Sequence, residues 1–533
     1  MIKGMNVLLK TNKAITVVSL TALLAAGCSA GEQQQKAEEK APQVSPAVTQ
    51  TESGKASPTP ISLKIHMHYY NTNAFNEEWT VFKKAAELTN VTLKGTVPAT
   101  ATNSKEVFNL MLASNNLADI IHGDRVDMNK AGLQGALVPL DDLIKQHAPN
   151  LQKFLEKNDW VRKQTIAADG KLYVVPFVAD GEASSGLFIR QDWLDKLKLP
   201  VPKTVDEYYK TLTAFRDQDP NGNGKKDEVP YFSRDKVGAL KLAQLFGART
   251  LWYEQDGAVR YGKFEPEYKT AITNIAKWYK EGLIDKEIFT RGAKAREVLL
   301  GDNTGGSTHD WIGSTASYND TVKASVPGIQ LLPILPPADV NGKIKEENSR
   351  PLLGAVGWGI SATNKHQIES IKYFDFWFTE EGRRLNNFGL EGTHYTMKDG
   401  KPIFKDEVLK NTKAVLAQLK EAGAQMEIGF QQDFTYEEQW MNPIGKAGVR
   451  EYLDKKVLLP LFPNLSFTES EQKVITQKWT AIQTFIAEKE QKWIMGAEEV
   501  EPNFDGYLKS LKDMGMDEIV KIYNDAYQRY LKS

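Results

Sequence analysis

The chain contains one cysteine in 533 residues, Cys28, so no intramolecular disulfide can brace it. It also lacks an excess of either charge. Sixty-seven Lys and Arg face 68 Asp and Glu, leaving a formal net charge of −1. That balance gives no basic field toward nucleic acid, and no module interleaving aromatic and basic residues is present, so nucleic acid is not expected as a partner. H-E-x-x-H and the phosphate-binding loop are both absent, which removes zinc-peptidase and nucleotide chemistries of those types. No internal repeat is visible. Long apolar runs are missing too. AITVVSLTALLAAG, Ala14 to Gly27, is shorter than the roughly 20 residues a spanning helix needs.

Lys3, Lys10 and Lys13 precede that run. A basic start followed by a short apolar segment predicts a secretion signal over residues 1–27. Its end, AAGC, resembles the lipobox of bacterial lipoproteins, with Leu24 one place earlier than the usual leucine. The resemblance implies that Cys28 carries lipid (a palmitate-type acyl anchor) and becomes the new N-terminus. Residues 28–60 are rich in Gln, Glu, Lys, Ser and Pro. They cannot bury enough apolar surface to offset their ordering entropy, and read as a disordered tether. An exported body, held on the outer face of a cell membrane, is the expectation.

From Ile61 the pattern alternates, ISLKIHMHYYN, and then cycles through helix and strand: EEWTVFKKAAELTN, VTLKGTV, VFNLMLASNN, ADIIHGD. This rhythm predicts an α/β fold with a largely parallel sheet. Ligands of such sheets gather beyond the carboxyl ends of the strands, which places Tyr70, Asn71, His122 and Asp124 at a cleft. His66 and His68 share one side of the first strand and read as packing residues. A second lobe begins near SSGLFIRQDWLDKLKLP, and IESIKYFDFWFTEEGRR reads as one amphipathic helix. The C-terminal third is helix-rich.

The loop DPNGNGKKDEVP places Asp219, Asn221, Asn223, Lys225 and Asp227 at positions 1, 3, 5, 7 and 9 of an EF-hand-like calcium loop, with Gly224 at the sharp turn. Calcium takes six to eight oxygen ligands, and position 7 supplies a backbone carbonyl, which Lys225 can do. Position 12 is Pro230 rather than Glu, so Glu228 must close the shell. A solvated Asn-Gly turn is the bland alternative.

The stretch from LFIRQDW to KKDEVP, the block NFGLEGTHYTMKDGKP and the C-terminal FIAEKEQKWIMGAEEVEPNFDGYLKSLKDMGMDEIVKIYNDAYQRY resemble extracellular solute-binding proteins of the carbohydrate-import type (family 1). The likeness is to large lipoproteins of Bacillus and Paenibacillus and to alginate-oligosaccharide-binding proteins. It implies a two-lobed periplasmic-binding-protein-like fold of type II with a hinge. Residues 61–180 and 328–390 would form the first lobe, and 181–327 and 391–533 the second. A monomer would close on an oligosaccharide and deliver it to an ABC permease, without catalysis. The loop from Asp219 to Glu228 would hold a structural Ca²⁺.

Sugars need aromatic faces and planar polar groups. Family position points to Trp311 in THDWIGS, with His309 and Asp310, and to Trp440 in YEEQWMNP, flanked by Gln439 and Asn442. Trp358 and Tyr395 are weaker candidates. Arg190 matters if the ligand is acidic, although pairing with a neighbour such as Asp192 is the expected use. The main rival reading is a secreted carbohydrate-active enzyme, such as a calcium-dependent polysaccharide lyase or a glycosidase. A lipoprotein capturing peptide or metal is a third.

Overall fold

The computed structural model describes residues 55–180, 185–348 and 350–533. The signal segment and Cys28 lie outside the described residues, as does the tether up to Gly54. Nine strands build two sheets. In chain order they are β1 (Ile61–His66), β2 (Val91–Gly95), β3 (Ile120–Asp124), β4 (Val175–Val178), β5 (Ser185–Arg190), β6 (Val229–Phe232), β7 (Gly305–Trp311), β8 (Leu331–Ile334) and β9 (Leu353–Ile360). The first sheet has the order β2-β1-β3-β9-β4 and the second β8-β5-β7-β6.

Both sheets are mixed, where a largely parallel one was expected. β1 runs parallel to β2 and β3, but β9 is antiparallel to β3 and β4. In the second sheet β5 is antiparallel to β7 and β8, while β7 and β6 are parallel. The chain's crossings explain this. A strand that enters a lobe from the crossing side must run away from it, against strands that end there.

The registers fix which end that is. Leu353 pairs with Val178 and Val356 with Asp124, so β3 and β4 end where β9 begins. Ser185 pairs with Trp311 and Leu187 with Ile334, so β7 and β8 end where β5 begins. Arg190, opposite Leu331, and Val229, opposite Gly305, lie at the far end of the second sheet.

Each sheet is buried under its own helices. The first core gathers Leu63, Ile65, Phe374 and Trp377 and also takes Tyr395, Phe404, Leu419 and Phe430. The second-sheet cores include Ile189, Tyr208, Trp278 and Trp493, and Phe188, Leu331 and Val449. The lobe divisions expected at 328 and 391 therefore move. β8 belongs to the second lobe, and the segment from Tyr395 to Phe430 belongs to the first. LLPIL has the same apolar run in either lobe, so composition does not assign it.

Helix α1 (Val205–Asp217) shows how local sequence sets an element. Thr204 caps it by accepting from Glu207 N, acids occupy its first turn, and Tyr208, Leu212 and Phe215 are fully buried. Side chains of that kind contribute about 2 kcal/mol each. The helix expected over IESIKYFDFWFTEEGRR is two, α2 (Gln367–Phe376) and α3 (Glu380–Phe388). Thr379 caps the second, and Gly382 packs so tightly on the Phe376 carbonyl that an added Cβ would lie 2.0 Å from it. Further on, α4 (Phe434–Trp440) follows the last crossing, and the 26-residue α5 (Glu469–Ile494) starts from a Thr468–Glu471 capping box. No helix among the described residues is long and apolar enough to cross a membrane.

Candidate functional site

Two strand ends at the crossing side of the second lobe supply most of a cavity. β6 runs out into Ser233, Arg234, Asp235 and Lys236, and β7 ends in His309, Asp310 and Trp311. With Lys241 and Phe289 they wall a cavity of about 590 Å³. Trp311 is 36% exposed there, which leaves part of its ring accessible for stacking. Asp310 is buried and spent. Arg234 donates to it from Nε at 2.6 Å and from Nη2 at 2.9 Å, and Arg296 Nε lies 3.4 Å away. The Asp310 hydrogen bond holds the Arg234 guanidinium charged beyond its ordinary range, while burial lowers Arg296. His309 is buried behind this wall, its Nε2 2.8 Å from Glu346 Oε1, and Gln244 Nε2 donates to the other Glu346 oxygen at 2.9 Å.

Lys236 and Lys241 border the same cavity, and their side chains make no hydrogen bond or ion pair with any described residue. Sequence reading missed Arg234, Lys236, Lys241 and Phe289. The signal was the polar run SRDK directly after a short apolar strand, the same strand-end rule that selected Asp124.

On the first lobe Tyr70, Asn71 and Asp124 stand at the crossing end, as their strand positions suggested. Asp124 caps the helix that follows β3 by accepting from Val126 N and Asp127 N. Burial, then the nearby Asp127 charge, raise its carboxyl above the usual range. His122 is fully buried, its Nε2 2.8 Å from the Glu427 carbonyl, and burial pushes it down to about 4. His66 and His68 are buried, as read. His68 Nδ1 meets Ser104 Oγ at 2.8 Å, and His66 lies edge-on to Phe108.

Besides His122, three candidates do not reach the cleft. Trp358 is 0% exposed and stacks on Phe374 with ring centroids 4.5 Å apart, because it sits mid-strand opposite His122. Tyr395 is 4% exposed in the first core, where Arg384 Nε donates to its hydroxyl. Arg190 is buried at the far end of its sheet, bonded to Asp192 and Asn303. Trp440 is half-buried against the first core, beside Tyr436. Its flanking amides are occupied structurally. Gln439 accepts from Phe404 N at 2.9 Å, and Asn442 accepts from Ile444 N at 2.8 Å. Trp440 is not part of the wall around Trp311.

The loop from Asp219 to Glu228 leads into β6 at the end remote from this cavity. Asp219 accepts from the backbone N–H of Gly222, Asn223 and Gly224, which wraps the loop around its carboxylate. Asn221 and Asn223 donate their amides to Asp227. No group of three or more His, Cys, Asp and Glu side chains converges as a metal cage among the described residues. The loop instead offers carboxylates mixed with the Asn amides and the Lys225 carbonyl. Glu228 decides the fit. Both its carboxylate oxygens are buried without a hydrogen-bond partner, and burial, then the Asp219 and Asp227 charges, raise its pKa. A desolvated carboxylate beside two more acids fits a hard, oxygen-seeking cation.

A family model described as bacterial extracellular solute-binding protein matches residues 70–384. The fructooligosaccharide ABC transporter substrate-binding protein FusA of Streptococcus pneumoniae is 27% identical over 462 residues, covering 79% of this chain and 82% of its own. Lipoprotein LipO of Bacillus subtilis is 24% identical over 544 residues, covering 98% and 99%. Among solved structures, the alginate-binding protein AlgQ2 without calcium ion superposes with a TM-score of 0.78 and 40% identity, covering 90% of this chain and 100% of that one.

Proposed function

The chain belongs to the bacterial extracellular solute-binding protein family, and on that premise we propose that it captures an acidic oligosaccharide between its lobes and hands it to an ABC permease. Proteins of this family bind solutes and are not enzymes, so the lyase and glycosidase readings fall away. One observation carries the ligand class. An exposed tryptophan shares a cavity with two lysines that form no ion pair with a described residue, set against the single unpaired acid Asp235. A pyranose stacks on Trp311, and a uronate carboxylate satisfies Lys236 and Lys241. AlgQ2, named for alginate binding, supports an acidic ligand, while FusA, named for fructooligosaccharide, supports a sugar. Binding here leaves the ligand chemically unchanged, since the site's work is recognition and closure.

The other parts of the reading follow the sequence. Cys28 carries the lipid that holds a monomeric body at the outer face of the membrane, in keeping with the lipoprotein LipO. Ca²⁺ occupies the Asp219–Glu228 loop, held by Asp219, Asn221, Asn223, Asp227, Glu228 and the Lys225 carbonyl, and braces the second lobe away from the ligand.

Calorimetric titration of the full chain with alginate-, polygalacturonate- and fructose-derived oligosaccharides tests the reading. An acidic probe binds, weakens with salt, and is recovered intact. Trp311→Ala weakens it about tenfold, and Lys241→Met erases the preference over neutral probes. Equal binding of neutral and acidic probes overturns the ligand class, and depletion of the probe overturns capture without turnover.

A further inference from the structure

Tyr70 and Asn71 both have left-handed backbones, with φ of +51° and +58°. Two consecutive residues of this kind, one a bulky aromatic, are costly and persist only where the surroundings over-determine them. The surroundings here do so in detail. Asn71 Oδ1 accepts from Ser104 N at 2.9 Å, and Asn71 N donates to Ser104 Oγ at 3.0 Å. Ser104 Oγ is in turn engaged by His68. The Tyr69 ring lies 5.1 Å from that of Tyr70. Tyr70 Oη donates to Glu427 Oε2 at 2.9 Å, a contact between residues 357 apart in the chain. Glu427 is itself fixed, because His122 Nε2 holds its carbonyl.

All this order is applied to a side chain that stays 57% exposed. Core packing does not account for it. The loop follows β1 at the crossing end of the first sheet, facing the side from which the second lobe is reached. We infer that Tyr70 is a preset stacking platform for a ligand ring on the first lobe, and that Glu427 is its positioning residue. A tyrosine hydroxyl tethered in advance loses less freedom when a sugar arrives, so the ring's orientation is set before binding. Glu427 Oε1 makes no hydrogen bond with a described residue and is free to accept from a sugar hydroxyl.

The inference rests on the reading of the chain as an oligosaccharide binder and adds an orientation. Asp124 and Glu427 make the first-lobe rim acidic, whereas at the second-lobe rim Lys236 and Lys241 outnumber Asp235. A uronate therefore turns its carboxylate to the second lobe and its ring face and hydroxyls to Tyr70 and Glu427.

The test is a double-mutant cycle on the full chain, with an alginate tetrasaccharide as probe and maltotetraose as neutral control, alongside thermal midpoints. Tyr70→Ala weakens the acidic probe about tenfold. Tyr70→Phe weakens it about fivefold and Glu427→Ala by more, since that change removes the tether and the Oε1 acceptor together, and the double variant binds no worse than Glu427→Ala alone. Glu427→Gln retains an acceptor and restores affinity to within about twofold of the parent. Thermal midpoints stay at the parental value. Full additivity of Tyr70→Phe and Glu427→Ala, or parental affinity in Tyr70→Ala, overturns the inference. A parent chain that binds no oligosaccharide overturns the reading beneath it, so the two failures are told apart.

Discussion

His66 and His122 carry the clearest acid sensitivity of any single residues. Burial pushes both imidazoles down to about 4, and for His66 the neighbouring His122 and His68 add to the shift. In the unfolded chain they titrate near 6.5, so between those values the unfolded state binds more protons. Stability is therefore complete above pH 6.5 and falls as pH drops through 4, by on the order of 3 kcal/mol per imidazole. His66→Leu keeps the contact with Phe108 apolar and removes one titrating site. Denaturant midpoints at pH 7 and 4.5 should lie closer together in that variant than in the parent, and an unchanged gap refutes the assignment. At this scale sequence reading divides sharply. Trp358 lies between two glycines and Trp311 two residues before one, in VGWGIS and DWIGS, and neither context tells a platform from a core residue. Position along the strand separates them, since Trp311 ends β7 while Trp358 lies mid-strand opposite His122.

Among elements, the loop between α1 and β6 was legible because its chemistry is local. Alternating oxygen donors and the glycines that permit φ of +77° at Gly222 and +76° at Gly224 all lie within ten residues. Glu228 adds what spacing could not show, two buried carboxylate oxygens beside the Asp219 and Asp227 charges. If Ca²⁺ binds there, a cation bound only by the folded chain stabilises it by about 3 kcal/mol at a hundredfold excess over Kd. Chelation followed by removal of the chelator should lower the thermal midpoint, Ca²⁺ should restore it, and Glu228→Ala should abolish the difference. Oligosaccharide affinity should change little, because the loop lies at the far end of the sheet from Trp311. A midpoint indifferent to verified metal removal would falsify the brace.

For the whole molecule, the strand–helix rhythm revealed two α/β lobes but not where the chain changes lobe. β8 and the segment from Tyr395 to Phe430 are assigned by pairing partners hundreds of residues away, which no window of sequence contains. Arg350 was overlooked for the same reason. Its guanidinium, on the segment between β8 and β9, bonds Asp180 just after β4 at 2.8 Å and, at the approach to and within α4, Gln432 at 2.8 Å and Glu437 at 3.0 Å. Asp180 is almost fully buried and Glu437 largely so. Burial, ahead of the opposing effect of Arg350, raises Glu437 above the usual carboxylate range. Removing the cation leaves two buried acids facing each other, a change that costs about 3–5 kcal/mol. Arg350→Met should therefore destabilise the chain by about that amount, read from denaturant unfolding. The node lies where the chain passes between the two sheets and not against Trp311, so an effect on binding is expected to pass through the equilibrium between lobe arrangements. Such an effect multiplies every ligand's Kd by one factor and leaves their ratios intact. Titrating the variant with two acidic oligosaccharides and a neutral one separates the cases. Equal factors place Arg350 in the hinge, whereas a shift in the ratios places it at the ligand.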